Sequence, residues 1–556
     1  MKEFGFYNHF DQPVILNEQI EISNDKNAQF LISNSKELNA QIVANEINFY
    51  LKNSDDDVLN KAKNTLLLYE ARAMAFDLAT DVDYEKKVGK NVLLVSNGGR
   101  EELKNLLTQN DFKVISLTHF EIKFIYGAVG ELSAIVLRDD DEFEIDCDFL
   151  LVENARDYML RQSGCVEISG KSDDEILAFL NAKTPNYDYK SYINYDSSIC
   201  QYHERRHEIC AKCAEICPSV AILKDDATKN LVFSHVDCVN CGECVAVCPS
   251  GAIDYSLITR TAFVQIAKLY FGKTPLILPN EPLENLNVKL PQNVLVFGAF
   301  SDKFLSETHL LTLLNESGSA LIIYSQTRPR ALSDAADILN QIYELKFGQK
   351  AVYLVKNEAE LKEALKLAKP IENSHFSVSE YALTKREIFA KRLSNLVGND
   401  DLGVVYTDGL IKYGKVLINK DTCTLCLSCV GACNVNALIA DKNDNSIKFN
   451  PSICTACGYC ELSCAEKDTI SLKSGILELK PQTFSYYELA KDELFKCVEC
   501  GKEFATKKAV EKIATLMQPK FANSPEKIRT LYCCAECKAK VMIKAQINAN
   551  GGKIYE

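Results

Sequence analysis

Sixteen cysteines in this chain fall into four short runs, and their spacing limits the fold more than any other feature. Cys238, Cys241, Cys244 and Cys248, followed by Pro249, stand in the order C-x2-C-x2-C-x3-C-P. Three thiols two residues apart let one tight loop wrap three corners of a cuboidal metal cluster. The fourth begins a helix and turns toward a second site. Upstream, Cys200, Cys210, Cys213, Cys217 and Pro218 repeat the pattern with nine residues in the first gap. Residues Cys217 to Ile222 and Cys248 to Ile253 are near copies, an internal repeat that points to two pseudo-symmetric halves.

This is the spacing of bacterial two-cluster ferredoxins, in which the fourth cysteine of each run ligates the other cluster. Crossing the fourth ligands assigns one 4Fe-4S cluster to Cys200, Cys210, Cys213 and Cys248, and a second to Cys238, Cys241, Cys244 and Cys217. Two later runs, Cys423, Cys426, Cys429, Cys433 and Cys454, Cys457, Cys460, Cys464, keep the regular spacing. The same crossing gives Cys423, Cys426, Cys429 with Cys464, and Cys454, Cys457, Cys460 with Cys433. Asn434 and Ala465 replace the usual prolines, which leaves extra backbone N–H groups near these clusters and points to altered potentials.

The tail carries Cys497, Cys500, Cys534 and Cys537, two CxxC knuckles that suit one tetrahedral metal in a zinc-ribbon-like module. Zinc is the expected ion; a rubredoxin-like iron uses similar knuckles and would be redox-active. Cys534 fits the spacing better than its neighbour Cys533. With 23 cysteines and no export signal in Met1 to Ile20, disulfides are not expected, and metal or redox work is. The expected compartment is the cytoplasm. No run of eighteen apolar residues predicts a membrane span. The formal charge of -13 disfavours nucleic acid, and each four-thiolate cluster would add roughly two negative charges. Basic partners are favoured, while the tail from residue 481 onward is itself net basic and could serve as a docking surface.

Cysteine-free blocks separate the metal-bearing ones, and the chain reads as a multidomain α+β and α/β protein. In the first block Leu38, Ile42, Ile47 and Leu51 recur at helical spacing, and Val58 to Ala79 predicts a long helix. Strands at 91–97 and 112–117 around a helix at 99–110 imply a parallel sheet. After residue 293 the alternation repeats: strand 293–300, helix 306–317, strand 319–326, helix 330–348, strand 350–356. Asn357 with Glu360 then resembles a capping box. Prolines 275, 279, 282 and 291 predict a linker, and Gly398 to Asp401 the way out. The expected divisions are an N-terminal α/β region at 1–90, an α/β region at 91–190 and a two-cluster ferredoxin-like module at 191–260. They continue with an α/β linking domain at 261–405, a second such module at 406–475 and the tail at 476–556. Gly98-Gly99 follows a strand without GxGxxG spacing, so the α/β blocks read as scaffold.

His203-Glu-Arg-Arg-His207 spells the zinc-protease pattern HExxH, but nine residues between two cluster ligands are too few for the helix that chemistry needs, and a polar loop is expected. Cys147 and Cys165 read as inert thiols. No acid, base or nucleophile is nominated. The order of parts resembles the 4Fe-4S ferredoxin-type proteins encoded beside formate dehydrogenase and its accessory factors in proteobacteria. The resemblance runs from about Cys200 to Ile543. It is carried by the long gap before Cys210-Ala-Lys-Cys213, by Cys423-Thr-Leu-Cys426, and by Phe495 to Phe504 with Cys534-Ala-Glu-Cys537. It implies a polyferredoxin relaying single electrons for a redox partner, formate dehydrogenase or its accessory proteins. The alternative is an accessory protein docking on a maturing dehydrogenase, with structural or redox-sensing clusters.

Overall fold

The computed structural model describes residues 2–10, 13–98, 100–138, 141–279, 286–380 and 382–549. The chain forms two compact units, Met1–Arg392 and Leu393–Glu556.

The first unit begins with a four-stranded parallel sheet in the order Ile20–Ile22, Lys2–Phe6, Gln29–Ser33, Asn39–Val43. The helices Asn45–Asn53 and Val58–Asp77 follow, the second capped by the Asp57 side chain accepting from Asn60 N–H. The helical reading of Leu38 and Ile42 is thereby corrected, because Asn39–Val43 is a strand. A spacing of four satisfies the strand period of two as well as the helix, and only Ile47 and Leu51 lie on a helix. A buried Arg72–Glu46 pair at 2.5 Å faces Gly298, where an added Cβ would lie 2.4 Å from the guanidinium. The first block thus packs directly on the sheet of the later α/β block.

A second parallel sheet has the order Cys165–Glu167, Phe149–Val152, Asn91–Val95, Lys113–Leu117, with the helices Glu101–Gln109 and Asp173–Asn181. The antiparallel strands Ile122–Ala128, Glu131–Arg138 and Asp141–Cys147 cover one face. Asp83–Lys87 pairs with Asn186–Lys190, across the expected division at 90. Of the Gly98-Gly99 pair, Gly99 lies outside the described residues.

The third sheet has the order Val294–Ala299, Thr274–Pro279, Leu321–Tyr324, Val352–Val355, all parallel, with the helices Arg260–Lys268, Glu307–Ser317, Arg330–Phe347 and Glu358–Leu367. Asn357 caps the last of these, its side chain accepting from Glu360 N–H at 2.9 Å. The linker reading of Pro275 and Pro279 is corrected: both lie on an interior strand. Pairing with Leu321–Tyr324 is confined to Leu276 and Ile277, so the prolines, lacking N–H groups, need no partner on that side. Pro282 lies outside the described residues.

Between these sheets sits the first cysteine-rich module, with Ile193–Tyr195 antiparallel to Ile253–Tyr255, Ile222–Asp225 antiparallel to Asn230–Phe233, and two short helices, Lys212–Ile216 and Glu243–Val247. The second unit repeats it. Gly414–Ile418 pairs with Ile470–Ser474, Leu438–Asp441 pairs with Ser446–Phe449, and the short helices are Ser428–Gly431 and Tyr459–Leu462. Tyr487–Lys491 adds a third strand beside Ser446–Phe449, so residues beyond 475 belong to this module's sheet. The hairpin Leu494–Lys496 with Glu503–Thr506 and the helices Lys507–Met517, Pro525–Thr530 and Ala535–Ala549 complete the tail. Among the described residues no helix is long and apolar enough to cross a membrane.

Candidate metal centres

The regular cysteine runs fold into one loop type because two residues in each adopt left-handed backbone. These are Asn240 and Gly242, Leu425 and Leu427, and Ala456 and Gly458, with φ between 50° and 77°. Such turns bring successive N–H groups toward one concavity, the arrangement that suits a negative charge. In one of these runs the N–H of Ala456 reaches the sulfur of Cys454 at 3.4 Å, and in the run with the long first gap the N–H of Tyr202 reaches Cys200 at the same distance. The run with the long first gap departs from this pattern, since Ala211, at φ -151° and ψ 20°, is not left-handed.

In the first module two cavities collect the eight thiols. One is lined by Cys200, Cys210, Cys213 and Cys248 together with Tyr195, Tyr202, Leu231 and Ile253. The other is lined by Cys238, Cys241, Cys244 and Cys217 with Tyr192, Ile222, Phe233 and Tyr255. Each cavity draws its fourth thiol from the opposite half. Burial pushes the Cys210 thiol up to about 12, with Cys248 and Cys200 adding to it, and the Cys238 thiol up to about 11, with Cys241 and Cys217 adding. Four thiolates could not coexist in such a pocket without positive charge among them, which is what iron supplies. The donor set, all sulfur within an apolar wall, fits a 4Fe-4S cluster.

The second module makes the same crossing. Burial and the neighbours Cys423, Cys426 and Cys464 push Cys429 up to about 12. Cys460 is raised by burial and by Cys454, Cys457 and Cys433. Cys426 departs from its fellows: it is exposed, and despite some desolvation its thiol is lowered by Ser428 and by the N–H of Ala465, which a proline could not offer. Ser428 Oγ lies 3.4 Å from its sulfur.

In the tail, Cys497, Cys500, Cys534 and Cys537 bring their four sulfurs within 4.8 Å of one another, close enough for a single ion. Among the described residues no other set of metal-ligating side chains is so tight. The hairpin supplies the first pair, turned by Gly501 at φ 74°, and the N-terminal end of Ala535–Ala549 supplies the second. Cys533 instead turns its sulfur to the Arg529 carbonyl at 3.3 Å. Desolvation opposes ionisation of Cys497, yet the N–H groups of Cys534, Glu499 and Cys500 bring it down to about 6. A thiolate at that pH suits a metal ligand.

His203 lies in a turn and His207 in a bend rather than on a helix, and Glu204 adopts φ 53°, so the HExxH letters do not present two imidazoles on one face. Cys147 and Cys165 are buried in the core between two sheets, where burial pushes each up to about 12. The aromatic residues that wall the two cavities, and the cations Lys385 and Arg386 behind Cys248, have no signal in the cysteine spacing. The cations are 137 residues from their partners in sequence.

Comparison with known protein families finds two matches, both to a 4Fe-4S dicluster domain: one over residues 208–252 and one over residues 415–465. No curated protein matches the chain. The chain therefore carries two ferredoxin-type 4Fe-4S dicluster domains, which support an iron–sulfur electron-transfer role and fit a count of four clusters.

Proposed function

We propose that the chain is a polyferredoxin that relays single electrons through four 4Fe-4S clusters, ligated by the crossed sets given above. Cys497, Cys500, Cys534 and Cys537 hold one structural zinc. The reading rests on one observation above all: thiols from opposite half-motifs meet in the same site, twice in each module's pseudo-symmetric frame. Bound clusters supply the one-electron chemistry; the protein supplies thiolates, N–H donors to sulfur and walls that exclude water. Formate dehydrogenase is the proposed electron partner, on the strength of the resemblance carried by residues 200–543, and the cytoplasm the proposed compartment.

Anaerobic metal and sulfide analysis with EPR of the reduced full chain tests the reading. About sixteen iron and sixteen sulfide per chain, with coupled reduced-cluster signals, is the expected result. Half that content without a reducible signal would overturn it. Reduction by formate dehydrogenase with turnover is expected; tight binding to the apo-enzyme without electron transfer would favour an accessory role.

A further inference from the structure

The antiparallel sheet of the first unit has one face on the core and one on solvent. Ile125, Ala134 and Val136 turn inward, so the pairing register sends Phe124, Tyr126, Glu142, Glu144 and Asp146 outward. Phe124 and Tyr126 are 50% and 41% exposed. Phe124 stacks on Tyr126 with 6.3 Å between ring centroids and on Tyr158 at 6.5 Å, the second pair nearly parallel.

The charge on this face is negative. Glu142 binds Lys123, Glu144 accepts from the Tyr126 hydroxyl, and Asp146 accepts from Ser133 Oγ at 2.7 Å, so only the first of the three carboxylates meets a cation. At the rim no cation is left over: Lys86 pairs with Glu131 at 2.8 Å, Arg138 stands opposite Asp141 and near Glu121, and Arg156 precedes Asp157. Asp141–Cys147 is an edge strand, and charges along an edge guard against pairing with another chain. That guard does not account for the rings, which add apolar area to the same face. Rings interleaved with carboxylates suit one kind of occupant, Lys or Arg side chains, which lie over ring faces and ion-pair at once.

The sheet is also tied to one half of the first module. Just past Tyr158, Arg161 Nη2 donates to the carbonyls of Cys217 at 3.2 Å and Ser219 at 3.1 Å. Ser163 Oγ accepts from Val129 N–H at 3.1 Å, while Ser163 N–H donates to Asp237 Oδ1 at 2.8 Å, one residue before Cys238. We propose that the outward face of Ile122–Ala128, Glu131–Arg138 and Asp141–Cys147 docks the basic surface of a redox protein, which thereby exchanges electrons with the cluster held by Cys217, Cys238, Cys241 and Cys244. The inference names a partner surface for the relay and rests on the four-cluster reading.

Cytochrome c, a redox protein with a lysine-rich surface around its haem edge, is the probe. Hydrogen exchange of the oxidised full chain reads docking without electron transfer: protection by cytochrome c is expected within residues 122–147 and should vanish at about 0.5 M salt. In stopped-flow experiments the anaerobically photoreduced chain gives one electron per ferric haem. Combining Glu142→Gln, Glu144→Gln and Asp146→Asn is expected to slow that step at least tenfold at low salt. Removing as many charges elsewhere, with Glu18→Gln, Glu363→Gln and Glu372→Gln, should slow it less than about twofold, and Lys123→Glu should speed it. Equal slowing by the two triple variants, or protection outside 122–147, would overturn the docking face and leave the relay standing. A wild type without reducible clusters would overturn the relay, while hydrogen exchange would still judge the face.

Discussion

Ala465 follows a fourth cysteine at a position where Pro218 and Pro249 stand in the other module, and its N–H acts on the thiolate of Cys426. A donor to sulfur stabilises the reduced, more negative cluster, so Ala465→Pro should lower the potential of the site built on Cys423, Cys426, Cys429 and Cys464, read by an EPR-monitored redox titration of the anaerobic full chain. The neighbouring left-handed positions differ in what they tolerate. Leu427 occupies at φ 62° the place that Gly242 and Gly458 fill elsewhere. A Cβ on Gly458 meets nothing closer than 3.4 Å, whereas one on Gly242 would lie 2.5 Å from Phe304 Cβ. Gly458→Ala should therefore cost about 1–2 kcal/mol of backbone strain. Gly242→Ala should cost about 1–3 kcal/mol more from overpacking, seen as a lower anaerobic denaturation midpoint.

Among the elements, the strands ending at Cys147 and beginning at Cys165 enclose both thiols in one core. Burial raises each to about 12, whereas an unfolded thiol ionises near about 8.5. A group raised on folding contributes stability in full below its unfolded value and loses it as pH rises. The fold should therefore weaken from about pH 8.5 upward, and Cys147→Ala with Cys165→Ala should flatten that slope in denaturant titrations. At pH 8 iodoacetamide should label neither thiol until the chain is unfolded, as mass spectrometry would show. These elements also show what a sequence discloses. Strand Asn91–Val95 and helix Glu307–Ser317 are legible because apolar runs and caps recur at one period. The first sheet is not: Ile20–Ile22 and Lys2–Phe6 are short, half polar and joined by long connections, and Leu38 with Ile42 satisfies two periods at once. The cysteine runs are the most legible of all, since ligand spacing is written directly by the chemistry. The cations behind Cys248 are the least, because a lysine in a helix reads as solvated until tertiary packing buries it.

At the scale of the molecule, the tail site is separate from the sixteen thiols of the two modules, although its module is tied to one of them. Thr506 Oγ1 donates to the Thr424 carbonyl at 2.8 Å, and Lys512 pairs with Glu466. Cys500→Ser should thus remove one metal equivalent while iron and sulfide stay unchanged by metal analysis. Behind the first module, Lys385 Nζ donates to the carbonyls of Ala246 and Cys248, each at 3.0 Å, and Arg386 Nε donates to the Pro249 carbonyl at 2.9 Å. Cysteine content alone makes residues 191–260 look like a portable cassette that could be cut out and grafted. A fragment ending near 260 would carry every thiol of that cassette and lose the two cations that brace it from 137 to 139 residues downstream. During synthesis, the same limb stays unbraced until the whole intervening sheet has emerged. The bracing of the first module is in this sense coupled to the completion of a domain that contains no cysteine at all.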